Sequence, residues 1–136
     1  MHFSIRGIVK ENDKIILIHR KKRQKDQSIR EYYLIPGGKM EEGETEEETL
    51  IREMYEELGI KVNVKKLILE HYSKYNDSIQ KFYECEYVSG ILGTGDGPEM
   101  HEKREKEELF EIVTLSKHEI KEINLVPQEI KDILIK

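Results

Sequence analysis

The chain has 136 residues, of which 38% are charged and 37% hydrophobic, and its net charge is −5. This length suits one compact domain with its own core, so we expect residues 1–136 to form a single domain. The negative charge argues against broad contact with duplex nucleic acid, because such contact needs a basic surface. Cys85 is the one cysteine, so no disulfide can form within the chain. The first residues carry no long apolar run, and we expect a cytoplasmic protein with no membrane association.

The first part of the chain contains three runs rich in β-branched and aromatic side chains, which predict strands. These runs are residues 3–9, 15–18 and 32–36. Asn12-Asp13 predicts the turn of a hairpin between the first two runs. Residues 19–31 are polar and basic and are interpreted as a loop. Gly37-Gly38, directly after Pro36, is interpreted as a backbone turn.

A helix is predicted after this turn. Thr45 followed by Glu48 matches a capping box, in which two residues satisfy free amide groups at a helix start. Gly59 is a favourable helix end. Between them, apolar residues recur at four-residue spacing and form a stripe with Ile51 beside it: Leu50, Met54 and Leu58. The predicted helix therefore packs one side on a core and holds its charged residues away from it.

The second half of the chain predicts more strands and two short helices. The strands cover 62–72, 79–91 and 109–115, with a turn around Asn76-Asp77 between the first two, and the helices cover 116–122 and 127–134. Residues 92–100 are glycine-rich and residues 101–108 are highly charged, so both segments are interpreted as loops. This order of elements predicts an α/β protein with a mixed sheet and helices packed on it.

Three carboxylates share one side of the predicted helix. Glu53 lies three residues before Glu56 and four before Glu57, and like charges at these spacings destabilise a helix. The spacing alone leaves two interpretations open. The carboxylates form a solvated helix face, or they bind a hard divalent cation such as Mg²⁺, which takes oxygen ligands and often bridges carboxylates to substrate phosphates.

The wider segment favours the second interpretation. Residues 38–60 read GKMEEGETEEETLIREMYEELGI and resemble the Nudix box, G-x5-E-x7-R-E-U-x-E-E-x-G-U, where U is a bulky aliphatic residue. Every fixed position is matched, by Gly38, Glu44, Arg52, Glu53, Met54, Glu56, Glu57, Gly59 and Ile60. Thr49 departs from the family, whose members commonly carry alanine there, and we expect a small adjustment in packing.

The resemblance implies a Nudix-type α/β/α sandwich with a mixed β-sheet. It also implies hydrolysis of a nucleoside diphosphate linked to another moiety, with Mg²⁺ or Mn²⁺ as cofactor. Candidate substrates are nucleoside triphosphates, ADP-ribose or nucleotide sugars, and dinucleoside polyphosphates. The family likeness also leads us to expect a homodimer, because many relatives are homodimers.

Two other functions are compatible with such a fold. One is a non-catalytic nucleotide-sensing domain, whose usual mark is an eroded box, whereas the box here is intact. The other is processing of RNA 5′ ends by the same chemistry. The acidic net charge argues against that activity, because an RNA chain needs a longer basic track.

Carried over position by position, the resemblance implies metal binding by four residues: Gly38 through its carbonyl, Glu53, Glu56 and Glu57. Glu53 is alternatively a general base. Arg52 has a planar fork that suits a carboxylate, and we expect it to pair with Glu44 and steady the junction between loop and helix.

Glu99 lies in the glycine-rich loop, and the resemblance makes it a candidate general base or extra metal ligand, because an acid from a loop after the box often has this role in related enzymes. A base must come within hydrogen-bond or one-water reach of the attacking water, and the neighbouring glycines allow the loop to bend toward the site. An ordinary solvated acid is the alternative for Glu99. Glu102 and Glu105 are weaker candidates in the same segment.

An anionic substrate needs positive charge opposite the carboxylates. The chain offers a basic cluster before the box: His19, Arg20, Lys21, Lys22, Arg23, Lys25 and Arg30. Arg20 and Arg30 are the candidates for phosphate contact. Arg6 on the first strand is a further substrate-binding candidate, although a salt bridge at the sheet edge is the interpretation that we favour for it.

Aromatic residues near the basic cluster have two interpretations as well. Tyr32, Tyr33 and Phe82 are candidates for stacking on a nucleobase, but we expect core packing for at least two of them. Cys85 is interpreted as a small core residue.

Overall fold

The structure is a computed structural model that describes residues 1–95 and 108–136. The strands are β1 (His2–Glu11), β2 (Lys14–Arg23), β3 (Ile29–Leu34), β4 (Gly37–Lys39), β5 (Ile60–Ser73), β6 (Ser78–Gly90), β7 (Leu109–Ser116) and β8 (Leu125–Val126). The helices are α1 (Glu46–Leu58), α2 (Lys117–Ile120) and α3 (Gln128–Leu134).

The strands form one mixed sheet in the order β5-β6-β1-β2-β3-β8, with β4 also paired to β1 and β7 to β2. β1 runs parallel to β6, and β3 runs parallel to β8. β1 pairs with β2 only next to the hairpin turn, at Lys10↔Ile15 and Glu11↔Lys14. The two strands separate beyond these pairs, so β4 and β7 take up the pairing at the split.

Alternation along β1 distributes its apolar side chains to the two faces of the sheet. Ile5 and Val9 belong to a buried cluster with the inward side of α1. Ile8 belongs to a second cluster that contains Ile120 of α2 and Ile130 of α3. Helices therefore cover both faces of the sheet, as the Nudix-type sandwich requires, because each face buries its own set of side chains. In the described ranges, no helix is long and apolar enough to cross a membrane.

The hairpin turns lie where the sequence predicts them. Asn12 and Asp13 have φ values of 50° and 63°, in the left-handed region that Asn and Asp tolerate in tight turns. Asp77, between β5 and β6, has a φ of 48°. The two C-terminal helices are present but shorter than predicted, and Pro127 is the N-cap residue of α3.

The interpretation of residues 19–31 as a loop is wrong. β2 continues to Arg23 and β3 begins at Ile29, so residues 24–28 alone connect the two strands. These strand ends are polar because they extend past the apolar core, where basic side chains on both faces reach solvent. Their backbone groups still pair, from Ile18↔Leu34 to Arg23↔Ile29.

The interpretation of Gly37-Gly38 as a turn also needs correction. The two glycines belong to strand β4, which pairs with β1 at Arg6↔Gly37 and Ile5↔Gly38. Gly37 has a φ of 153°, and a Cβ there would lie 2.1 Å from the carbonyl oxygen of Ile5. Glycine is thus required because β1 approaches the backbone of β4 too closely for a side chain.

Candidate functional site

Helix α1 is fixed at both ends by its own sequence. The Thr45 hydroxyl accepts from the backbone amide of Glu48 at 3.1 Å, and the Glu48 carboxylate accepts from the amide of Thr45 at 2.9 Å. At the other end, Gly59 adopts a φ of 80° and its amide donates to the carbonyl of Tyr55 at 2.9 Å. The capping box and the left-handed cap therefore set where the carboxylate-bearing turns begin and end.

The apolar stripe of α1 determines the direction of the carboxylates. Leu50, Met54 and Leu58 are fully buried. Glu53 and Glu56 consequently project toward the other side, with 14% and 36% of their side chains exposed. Glu57 lies between the buried and the exposed sides of α1 and is only 5% exposed. The three carboxylates therefore differ in their access to solvent.

Arg52 connects the box loop to the carboxylate face. Its Nε donates to Glu44 Oε2 at 2.6 Å and its Nη2 donates to Glu44 Oε1 at 3.0 Å. Its Nη1 lies 2.9 Å from Glu53 Oε1 and 3.1 Å from Glu56 Oε2. A further bond from Nη2 reaches the carbonyl of Lys39 at 3.1 Å. One guanidinium thus holds the loop, the helix and β4 together, and the pairing predicted for Arg52 and Glu44 is present.

Glu44 is held in its ionised form. The Arg52 guanidinium, with the backbone amide of Glu41 and the hydroxyl of Thr49, lowers the pKa of Glu44 to about 2. The same hydrogen bond to Glu44 raises the pKa of Arg52. Thr49 is fully buried and its Oγ1 lies 2.9 Å from Glu44 Oε1. The threonine therefore contributes a polar contact here, beyond the small packing adjustment expected from the sequence.

The glycines of β4 lie directly against two of the carboxylates. The amide of Gly37 donates to Glu57 Oε1 at 3.2 Å, inside the protein. A Cβ on Gly38 would lie 2.4 Å from the carboxyl carbon of Glu53. The absence of side chains on β4 therefore leaves the space that the carboxylate of Glu53 occupies.

The donor chemistry of this region fits a hard divalent cation, because the candidate ligands offer carboxylate and carbonyl oxygens only. Glu53 and Glu56 already converge on one cationic atom, Nη1 of Arg52. Within residues 1–95 and 108–136, however, no three His, Cys, Asp or Glu side chains are arranged to hold a metal ion. The ligands would therefore have to turn from Arg52 toward a common point when a cation binds.

The structure places Arg20 and Arg30 on neighbouring strands of the split sheet. The guanidinium of Arg20 lies 5.2 Å from the ring centroid of Phe110, and that of Arg30 lies 4.4 Å from the ring centroid of Tyr32. Arg20 is paired in register with both Tyr32 and Phe110. These side chains therefore form a basic and aromatic row across β3, β2 and β7.

Arg6 is not at a sheet edge, and that interpretation is wrong. It lies on β1, between β6 and β4, and it is partly buried. Its Nη1 donates to the carbonyl of Ile35 at 2.9 Å, and its Nε donates to Gln80 Oε1 at 3.1 Å. Parallel pairing of β1 with β6 brings Gln80 into reach, and no local sequence signal indicates that contact.

The remaining candidates are aromatic residues, the cysteine and the acids that follow the box. Phe82 is fully buried, and Tyr33 packs against the same cluster and stacks on His19, so core packing holds for both. Cys85 is buried, and burial raises the pKa of its thiol to about 12, which does not suit a nucleophile. Glu99, Glu102 and Glu105 lie outside the described residues.

Comparisons with known proteins identify the family and the fold. A sequence model of the NUDIX domain matches residues 1–132. An ADP-ribose pyrophosphatase of Methanocaldococcus jannaschii is 33% identical over 97 residues, which cover 68% of this chain and 55% of that protein. The match thus spans about half the length of that relative.

Two solved structures share the fold. The solution structure of the E. coli ORF135 protein has a TM-score of 0.67 and 23% identity, over 98% of this chain and 86% of that one. The crystal structure of an ADP-ribose pyrophosphatase from Streptococcus suis has a TM-score of 0.65 and 16% identity, over 98% and 89% of the two chains. With an intact box on α1, a matching domain model and this fold, the chain belongs to the NUDIX domain family.

Proposed function

We propose that the protein is a Nudix pyrophosphohydrolase that cleaves the diphosphate linkage of a nucleoside diphosphate joined to another moiety. The observation that carries this proposal is the arrangement of Glu53, Glu56 and Glu57 along α1, braced by the pair of Arg52 and Glu44. Such a concentration of ordered carboxylates beside a glycine strand is costly unless a cation and a polyanion bind there.

The ADP-ribose pyrophosphatase of M. jannaschii makes ADP-ribose the first compound to test. Nucleoside triphosphates, nucleotide sugars and dinucleoside polyphosphates remain candidates, because the box contacts the diphosphate that all of them share. The proposed products are a nucleoside monophosphate and either a phosphorylated moiety or pyrophosphate.

We propose Glu53, Glu56, Glu57 and the carbonyl of Gly38 as the residues that would hold Mg²⁺ or Mn²⁺. When bound, the cation would offset phosphate charge, polarise a phosphoryl oxygen and lower the pKa of water. The carboxylates must point to one side for this role. Burial of the stripe beneath them and the amide of Gly37 on Glu57 both restrict their orientation.

Arg52 and Glu44 act as positioning residues in this proposal. The two parallel hydrogen bonds fix the guanidinium, whose remaining nitrogen is shared between Glu53 and Glu56. The bond to the Lys39 carbonyl also holds the end of β4 next to the helix. Because the pair joins the loop to the helix, it fixes the position of the Gly38 carbonyl relative to the carboxylates of α1.

Arg20 and Arg30 are proposed to contact substrate phosphate. Arg20 supports this role because its Nε is buried and has no hydrogen-bond partner in the part of the chain that the structure describes. A buried donor of this kind is stabilised by an acceptor, and a phosphate oxygen is a strong one. Tyr32 and Phe110 beside these arginines offer flat faces for a nucleobase.

Attack on phosphorus needs a base for the proton of the attacking water. Glu53 is one candidate, since its carboxylate faces the Gly38 backbone where the diphosphate is expected. Glu99 is the other candidate. Replacing each by glutamine and comparing the pH dependence of turnover would separate the two, because loss of the base removes the acidic limb of the profile.

The test is hydrolysis of a panel of these nucleotide derivatives with Mg²⁺ or Mn²⁺, run on the parent and on Glu53→Gln and Glu57→Gln. We expect severe loss of turnover in both variants, with the fold retained by circular dichroism. Glu47→Gln is the matched control, because Glu47 is an exposed glutamate in the first turn of the same helix. Its turnover should equal that of the parent.

Turnover close to that of the parent in Glu53→Gln or Glu57→Gln would contradict the role of that residue. Binding of the panel compounds without turnover in the parent would instead support the nucleotide-sensing alternative. Phosphate-containing products in the parent alone, with both variants inactive, would establish the proposed chemistry.

A further inference from the structure

Arg6 on β1 lies directly beside the glycine pair of β4. It pairs in register with Gly37, and a Cβ on Gly37 would lie 2.7 Å from Arg6 Cα and 3.0 Å from Arg6 Cγ. The amide of Gly37 donates to Glu57, and Gly38 faces Glu53. The two glycines of β4 therefore lie next to Arg6 and next to both carboxylates.

Two acceptors, one just after β3 and one on β6, hold the guanidinium in place. The first is the carbonyl of Ile35, and the second is the side-chain oxygen of Gln80. The bonds use Nε and Nη1, which donate in different directions within the guanidinium plane, so the orientation of the group is restricted. An arginine held by two such bonds loses little further freedom on contact with a fixed partner.

Burial and nearby carboxylates have opposite effects on the pKa of Arg6. Burial lowers the pKa of Arg6, while the carboxylates of Glu57 and Glu53 act in the opposite direction. An arginine stays protonated in proteins even when burial opposes its charge. A permanent positive charge therefore acts on the two carboxylates that the proposed function assigns to the metal ion.

We propose that Arg6 is a positioning residue whose fixed positive charge, held next to β4, acts on the Glu53 and Glu57 carboxylates and sets how tightly they bind a divalent cation. This inference rests on the proposed function, because it concerns the same carboxylates. It differs from a direct role in substrate binding, since Arg6 acts through the carboxylates and its donors engage Ile35 and Gln80.

The expected effect on affinity has a definite sign. A fixed positive charge near the ligands repels an incoming cation and reduces the negative potential that attracts it. Removing the charge while keeping the fold should therefore tighten cation binding. A residue that only supports packing would have the opposite signature, because its loss would disorder the ligands and weaken binding.

The experiment measures Mn²⁺ binding directly, by electron paramagnetic resonance of the free ion, on the parent, Arg6→Gln, Arg6→Met and Arg6→Lys. We expect the two neutral variants to bind Mn²⁺ about three- to tenfold more tightly than the parent, and Arg6→Lys to stay within about twofold of it. Glutamine keeps a donor for Ile35, and methionine fills the stem volume, so at least one neutral variant should remain folded.

Lys10→Met is the matched control, because Lys10 is an exposed cation on the same face of the same strand. Its Mn²⁺ affinity should equal that of the parent. Folded neutral Arg6 variants that bind Mn²⁺ no more tightly than the parent would overturn the inference, and so would equal tightening in Lys10→Met. No Mn²⁺ binding by the parent would overturn the proposed metal site itself, which separates the two failures.

Discussion

Arg52 and Glu44 meet as a planar fork, with Nε 2.6 Å from Oε2 and Nη2 3.0 Å from Oε1. Two parallel charged hydrogen bonds fix direction as well as distance, which a single ammonium cannot do. Because the same guanidinium also contacts Glu53 and Glu56, the fork determines where these two carboxylates sit. The first two predictions follow from this pair.

Arg52→Lys keeps the positive charge and removes the fork. We expect turnover to fall about ten- to a hundredfold, since one or two charged hydrogen bonds that position the ligands are lost. The measurement is steady-state hydrolysis of the best substrate of the panel, with folding checked by urea unfolding. Turnover equal to that of the parent would show that charge alone, without bidentate geometry, is sufficient.

Glu44 should make the stability of the protein depend on acid pH. Its pKa is lowered from 4.5 to about 2 in the folded chain, chiefly by Arg52. A lowered pKa contributes stability that is fully present above the unfolded value and is lost as the pH falls through the folded value. The difference in free energy of unfolding between the parent and Glu44→Gln should therefore be largest near neutral pH and shrink below about pH 4.

Urea unfolding of both proteins across this pH range measures that difference. Glu47→Gln again serves as the control, because the exposed Glu47 has no ion pair among the described residues. A difference between the parent and Glu44→Gln that stays constant with pH would contradict the ionised pair.

Thr49→Val tests the hydroxyl that contacts Glu44. Valine has nearly the shape of threonine, so the change leaves the packing and removes a hydroxyl that lies 2.9 Å from Glu44 Oε1 and 3.0 Å from the Thr45 carbonyl. We expect a loss of about 1 kcal/mol in the free energy of unfolding, the usual net value for one hydrogen bond. Thr49→Ser keeps the hydroxyl, so its free energy of unfolding should fall clearly less. A larger fall in Thr49→Ser than in Thr49→Val would show that packing causes the effect.

The two glycines of β4 should respond differently to alanine. At Gly38 the added Cβ meets the carboxylate of Glu53 at 2.4–2.6 Å, and that flexible group can move aside. Gly38→Ala should therefore lower turnover about tenfold or more with little change in stability, because the carboxylate is displaced from its place. The measurement is turnover and urea unfolding side by side.

At Gly37 the added Cβ would lie 2.1 Å from the backbone oxygen of Ile5, and φ is 153°. Gly37→Ala should therefore destabilise the fold by about 2 kcal/mol or more, through strain that no side-chain movement relieves. Equal effects of the two alanines on stability would contradict this separation of roles.

Local sequence signals predicted the part of the molecule that carries the candidate site. The ends of α1 follow from Thr45, Glu48 and Gly59, because caps act through neighbours within one turn. The pairing of Arg52 with Glu44 follows from the spacing of the box and is present in the structure. These features need no knowledge of distant parts of the chain.

Features set by pairing between distant strands could not be predicted in this way. The contact of Arg6 with Gln80 joins residues 74 positions apart and depends on the parallel register of β1 and β6. The extension of β2 and β3 into residues 19–31 was missed because their side chains are polar on both faces, so no periodicity marks them. Backbone pairing maintains those strand ends together with cross-strand side-chain contacts, such as the stacking of His19 on Tyr33.

Strand β5 is long, with 14 residues, and it is the last strand on its side of the sheet. Its register with β6 shifts at three places, and Lys61, Lys65 and Lys66 project from it. Irregular, lysine-bearing edges resist the addition of a foreign strand. We therefore expect this edge not to accept a strand from a second molecule, and we expect a homodimer of the chain to use another surface.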